Sequence, residues 1–257
     1  MKVLALITAR GGSVTLPRKN VLPFCGKPLI AYSIAAAEGA RRAGAPIDRI
    51  IVSTEDEEIA EISRRHGAEV PFMRPAELAR SDTASLPVVH HAVHQVEQNG
   101  PYDWILLLQP TSPLRTADDI LAALDIARKP DTTAVIGVTA ASHPAKLRTV
   151  EDGLLRALSG YDFTPQRRQD FAFEAYRTNG AMYLARRDVL MEQGSFYGSH
   201  PRPLVMPPER SIDIDTRLDF EMAEFLFQRH VAPGIEQGGI SAYLGSNPNP
   251  ASSRERL

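Results

Sequence analysis

Short apolar runs recur along this chain with helical patterns between them: VLALI at 3–7, IIVST at 50–54, WILLLQP at 104–110 and TAVIGVT at 133–139. Each has the length of a strand buried on both faces and is too short for an ordinary helix. The intervening segments carry helix signals. PLIAYSIAAAEGARRA (28–43) opens on Pro28, tolerated in a first turn. EDEEIAEISRRHG closes on Gly67, ASLPVVHHAVHQVEQNG has Pro87 near its start, and TADDILAALDIARK follows the N-cap type Thr116. EVPFM (69–73) reads as one more short strand. This alternation predicts right-handed βαβ crossovers, hence an α/β fold with a mostly parallel sheet and helices on both faces. Such sheets bind ligands beyond the carboxyl ends of their strands, where ARGG, STED and QPTSPLR all fall.

After about residue 140 the rhythm breaks. Residues 141–178 hold charged and aromatic clusters without regular alternation, the pattern of an inserted, partner-facing lobe. NGAMYLARRDVL returns to strand and helix, and RSIDIDTRLDFEMAEFLFQRH gives an aspartate-bearing strand end and a last helix capped by Thr216. The expected organisation is a core of residues 1–140 and 179–231, a lobe of 141–178, and a loose Gly/Pro/Ser/Asn-rich tail of 232–257.

Composition excludes some functions. A formal net charge of -2 argues against nucleic-acid binding by bulk phosphate attraction, though a local cation cluster still suits a small anion. The single cysteine, Cys25, rules out an intrachain disulfide or a cysteine-rich metal site. MKVLALITARGG is too briefly apolar for a signal peptide or membrane span, so a cytoplasmic enzyme without membrane attachment is expected.

The chemistry concentrates in a few stretches. ARGGSVTLPRKN (9–20) sets Arg10, Arg18 and Lys19 around Gly11 and Gly12, behind the first strand. It is either an anion cradle of backbone N–H groups and cations, or a solvated basic turn; it matches neither the ATPase loop nor the dinucleotide fingerprint. In SIDIDT (211–216), extended alternation puts Asp213 and Asp215 on one face. Two such carboxylates suit Mg²⁺, which takes one or two carboxylates plus substrate phosphates, or else merely cap the last helix. LLLQPTSPLR offers Gln109, Thr111, Ser112 and Arg115 on a proline-stiffened wall, and RPAELARSDTAS offers Arg74, Ser81 and Ser85. His90 and His94 have zinc-like i, i+4 spacing but no third ligand, and read as ordinary helix-face histidines.

Taken in order, ARGGS…LPRKN, FCGKPLIAYSI, RPAELARSDTAS, LLLQPTSPLRTADDI, YRTNGAMYL and SIDIDTRLDFEMAE resemble the acylneuraminate cytidylyltransferase family, from residue 3 to about 230. The resemblance implies a Rossmann-like core that transfers CMP from CTP to a nine-carbon α-keto acid sugar and releases pyrophosphate. It assigns Arg10 and Lys19 to the phosphates, and the Ala9–Gly11–Gly12–Ser13 turn, Asn20, Arg74, Ser81 and Ser85 to the nucleotide. Asp213 and Asp215 become Mg²⁺ ligands, with Asp215 nearest the attacking hydroxyl. Gln109, Thr111, Ser112 and Tyr183 form the sugar-facing wall, and Phe196 and Tyr197 face the N-acyl side. Residues 141–178 become a dimerisation lobe that lends Lys146 and Arg168 to the neighbour's site in a homodimer.

One departure stands out. The family loop commonly reads G-S-K-G-x-P, whereas this chain has Ser13-Val14-Thr15-Leu16-Pro17. A charge-assisted hydrogen bond contributes about 1.5–3 kcal/mol, so a raised CTP KM or a shifted nucleotide preference is expected. Alternatives are another sugar (pseudaminic acid or ketodeoxyoctonate), GTP as donor, or a catalytically silent nucleotide-binding protein on the same fold.

Overall fold

The computed structural model describes residues 1–13, 15–158, 160, 167 and 173–232. The first apolar run forms strand β1 (Val3–Thr8), wholly buried from Val3 to Ile7. A minute hairpin of β2 (Pro23–Phe24) and β3 (Lys27–Pro28) leads into helix α1 (Leu29–Arg42). Strand β4 (Ile47–Ser53) and helix α2 (Glu57–Arg65) follow, with Asp56 accepting the Ile59 amide as N-cap of α2. EVPFM does not become a strand: Pro71 lacks a ladder donor, and only a bridge between Ile51 and Glu69 survives. Helix α3 (Ser85–Val96), strand β5 (Trp104–Leu108), helix α4 (Ala117–Ala127) and strand β6 (Ala134–Ala140) complete the expected alternation.

Beyond β6, strands β7 (Arg148–Glu151) and β8 (Leu154–Ala157) make a hairpin that pairs with no strand of the main sheet. Strand β9 (Tyr176–Arg186) then crosses the molecule, followed by helix α5 (Arg187–Met191), strand β10 (Pro201–Val205) and helix α6 (Arg217–Leu226). The six-stranded sheet has the order β10-β6-β9-β5-β1-β4. Its strands are parallel except β9, which wedges antiparallel between β5 and β6. Strand β10 carries Pro201 and Pro203, which conceal it in the sequence and which are tolerated because it lies at the sheet edge.

Helices cover both faces. Apolar residues of α1, α2 and α4 pack on one side of the sheet, and those of α3 and α5 on the other. A third cluster matters more for function. Leu16 from the opening loop, Phe24, Leu29, Leu114, Ile214 and Phe220 pack together, so the basic loop and the SIDIDT stretch share one apolar floor. Ile214 is completely buried, which contributes about 1.5–3 kcal/mol and fixes the aspartates on either side of it.

Candidate active site

A cavity of about 320 Å³ opens at the carboxyl ends of β1 and β5, where the sheet architecture predicts ligand binding. The loop after β1 supplies Arg10, Ser13, Lys19 and Asn20 to its lining. The segment before α3 supplies Arg74 and Ser81, the first residue of α3 supplies Ser85, and the segment after β5 supplies Gln109 and Thr111. Asp213 and Asp215 close the far side. SIDIDT is not a strand here, yet both carboxylates line the one cavity while Ile214 between them is fully buried.

Loop and aspartate segment are bonded directly. Lys19 Nζ donates to the Ile214 carbonyl at 2.5 Å and to Asp215 Oδ1 at 3.2 Å, and Thr15 Oγ1 donates to the Asp215 carbonyl at 2.7 Å. Asn20, buried, donates from Nδ2 to the Arg10 carbonyl at 2.9 Å, and Arg10 Nη1 donates to the Arg80 carbonyl at 2.9 Å. The Ile214 amide donates to the Thr111 carbonyl at 2.8 Å, which joins the aspartates to the wall after β5. Gly180, at φ +72°, sits where a side-chain carbon would lie 2.9 Å from both Asp213 Oδ2 and Gln109 Oε1; only a glycine leaves room for both groups.

The electrostatics on the acidic side of the cavity are set first by burial. Burial pushes the Asp213 carboxyl above the usual range; a hydrogen bond from Thr111 opposes this, the charge of Asp215 adds to it, and Lys19 and Arg177 pull downward. Burial likewise lowers the Arg74 guanidinium, which donates to the carbonyls of Ala9 (3.0 Å) and Ser53. Tyr183 is pushed up, first by burial and then by Tyr197, with a Thr178 hydrogen bond opposing and Asp213 adding. Its ring meets Phe196 at 5.6 Å, and neither of these two nor Tyr197 is among the residues lining the cavity.

The chain matches the family model described as cytidylyltransferase over residues 4–237. It belongs to that family. It is 34% identical over 236 residues to the CMP-N,N'-diacetyllegionaminic acid synthase of Legionella pneumophila, covering 89% of this chain and 97% of the relative. It is 32% identical to the pseudaminic acid cytidylyltransferase of Campylobacter jejuni, with 89% and 97% coverage. Among solved structures it resembles CMP:2-keto-3-deoxy-manno-octonic acid synthetase complexed with CTP, at a TM-score of 0.64 and 20% identity, covering 90% of this chain and all of that one. That likeness supports the α/β fold.

Several residues singled out in the sequence stand apart from the cavity lining. Ala9 is buried and acts through its backbone, while Gly11 and Gly12 shape the loop. Ser112 is fully buried and donates to the Asn179 carbonyl at 3.5 Å, so its hydroxyl braces the turn under the wall. Lys146 lies in a short 3₁₀ turn before the β7–β8 hairpin, away from this chain's cavity. Val14 and Arg168 lie outside the described residues, as does the tail from 233 onward. His90 Nε2 meets the Leu190 carbonyl at 2.8 Å, which serves packing, and no cluster of three metal-ligating side chains occurs among the described residues. The cavity also takes in Thr8, Leu78, Arg80, Thr83, Val88 and Pro110. Val88 was detectable as the residue one helical turn after Ser85; Thr8 and Pro110 carry no side-chain signal of their own.

Proposed function

We propose that this chain transfers CMP from CTP to a nonulosonic, sialic-acid-like α-keto sugar and releases pyrophosphate. The observation that carries the reading is the convergence of Arg10 and Lys19 with Asp213 and Asp215 on one cavity at the strand ends, in a chain of the cytidylyltransferase family. Arg10 and Lys19 bind the phosphates and balance charge growing on the α-phosphoryl group and the departing pyrophosphate. Backbone N–H groups of the Ala9–Ser13 turn, with Asn20, Arg74, Ser81 and Ser85, seat the nucleotide. The sugar lies against Gln109 and Thr111, with Tyr183, Phe196 and Tyr197 beyond, in a position for its anomeric hydroxyl to attack the α-phosphorus in line. The new O–P bond forms as the bond to the bridging oxygen of pyrophosphate breaks, and the hydroxyl proton passes to Asp215, the more exposed carboxylate.

The residues present fit Mg²⁺. Asp213 and Asp215 are hard oxygen donors facing one cavity, and Asp213 is already destabilised as an anion by burial and by its neighbour. The ion, when bound by these two carboxylates and phosphate oxygens, supplies Lewis-acid stabilisation of the phosphoryl charge.

The assembly proposed is a homodimer with a shared site. Its support is the β7–β8 hairpin, which exposes Val150 (71%) and Leu155 (63%) along with Leu147 and Leu154. An isolated two-stranded hairpin with apolar residues on both faces is marginal in water and calls for a partner surface. Lys146, beside that hairpin, and Arg168 then reach the carboxylate of the neighbour's sugar.

The direct test is pyrophosphate release from CTP and Mg²⁺ with a panel of neuraminic, legionaminic and pseudaminic acids and ketodeoxyoctonate. Turnover with at least one nine-carbon acid is expected, and Asp215→Asn should reduce kcat by about 10²-fold or more. Saturable CTP binding without turnover on any sugar would instead favour a silent nucleotide-binding protein.

A further inference from the structure

Of the three cations in the opening loop, Arg10 and Lys19 line the cavity and Arg18 does not. Arg18 adopts a left-handed backbone (φ 56°) and turns its guanidinium onto the start of α2. Nη1 donates to Asp56 Oδ2, and Nη2 donates to Asp56 Oδ1 at 3.1 Å and to Glu58 Oε2. The residue before Asp56 takes hold of the same loop elsewhere: Glu55 Oε1 accepts the Gly11 amide at 2.7 Å. The other oxygen of Glu55 lies 3.9 Å from Nη1 of buried Arg74, whose Nη2 donates to the Ala9 carbonyl. Gly11 is glycine for a reason visible in this arrangement. A side-chain carbon there would collide with Asp56 and lie 3.1 Å from Arg18 Nη1.

We infer that Glu55, Asp56 and Glu58, at the mouth of the neighbouring βα crossover, are positioning residues that latch the 9–18 loop in its nucleotide-receptive shape through Gly11, Arg18 and Arg74. The inference deepens the nucleotidyl-transfer reading and rests on it for the identity of the nucleotide. Its physical basis is preorganisation. A loop held in its bound conformation before the ligand arrives loses less freedom on binding, and apparent affinity scales with the fraction of protein in the competent state. Carboxylates beside a triphosphate site would ordinarily repel the ligand. Here two guanidiniums, Arg18 and Arg74, face the three acids and offset two of their three negative charges. The latch also explains why a third cation, useless to the phosphates in this orientation, stands in the loop.

The experiment combines hydrogen exchange of peptides spanning residues 9–20 in the nucleotide-free full chain with calorimetric CTP binding. The variants are Arg18→Ala, Arg18→Lys, Glu55→Ala and Glu55→Gln. Arg18→Ala and Glu55→Ala should speed loop exchange and weaken CTP binding about tenfold, with kcat at saturating CTP changed less than about twofold. Glu55→Gln keeps an acceptor for the Gly11 amide and Arg18→Lys keeps a cation, so each should recover most of the affinity. Arg18 is partly exposed, so its variants report even if Glu55→Ala, which deprives buried Arg74 of its acid, fails to fold. Unchanged loop exchange in Arg18→Ala would overturn the latch, as would faster exchange with undiminished CTP affinity. If the unaltered protein does not bind CTP, the nucleotide reading fails, and the exchange measurement alone decides the latch.

Discussion

Lys19 Nζ touches both the Ile214 carbonyl and Asp215, so the ammonium is held in place by the segment that supplies the acids. This pairing explains how a chain with net charge -2 presents a cationic cradle: the positive groups are local and aimed. At position 14 the cradle carries valine, flanked by Ser13 in the cavity lining and by Thr15, which is bonded to Asp215. Val14→Lys should therefore lower the CTP KM by about tenfold, the worth of one charge-assisted bond, or sharpen the preference for CTP over GTP. Steady-state kinetics with both nucleotides checks this, and unchanged values for both would remove Val14 from nucleotide binding. That Lys19, Asp213 and Asp215 belong together was legible in sequence, because spacing and residue type suffice to propose it, and all three line one cavity. The role of Arg18 was not, because nothing in PRKN distinguishes a cation facing the ligand from one facing α2.

Helix α2 illustrates how one element serves two ends. Asp56 caps the helix through the Ile59 amide and pairs with Arg18, and the Arg18 bond first, then the cap, hold its carboxyl below the usual carboxylate range. A carboxyl with a depressed folded-state pKa adds stability above its unfolded value, and that stability disappears as pH falls through the folded value. The stability difference between the unaltered protein and Arg18→Ala should accordingly be full at neutral pH and shrink towards zero in acid, below the usual carboxylate range. Urea titrations across that interval measure it, and a difference independent of pH would show that Asp56 is not the partner that matters. Helix α4 was readable from its sequence alone: Thr116 and Asp119 form a reciprocal capping box, and Arg210 joins it at 2.5 Å from Asp119. The EVPFM segment was misread because its apolar content outweighed Pro71, and β10 escaped notice because its prolines are acceptable only at an edge, a position that sequence does not reveal.

At the scale of the whole molecule, the β7–β8 hairpin carries some of the most exposed apolar side chains among the described residues. Under the proposed homodimer, replacing Val150 and Leu155 together by aspartate should shift the protein from dimer to monomer in sedimentation and reduce turnover with little change in thermal stability, since both side chains are exposed in the single chain. A variant that stays dimeric and active would remove the hairpin from the interface. The sequence by itself determined the strand–helix alternation, the covered faces of the sheet, the helix caps and which cations and carboxylates were candidates for a common site, because these follow from local periodicity and local chemistry. The tertiary structure alone decided that β9 runs antiparallel between β5 and β6, that Leu16 and Ile214 share one floor, and that Arg18 belongs to α2 rather than to the cavity lining. Those features depend on contacts between residues far apart in the chain, whose pairing no local pattern encodes.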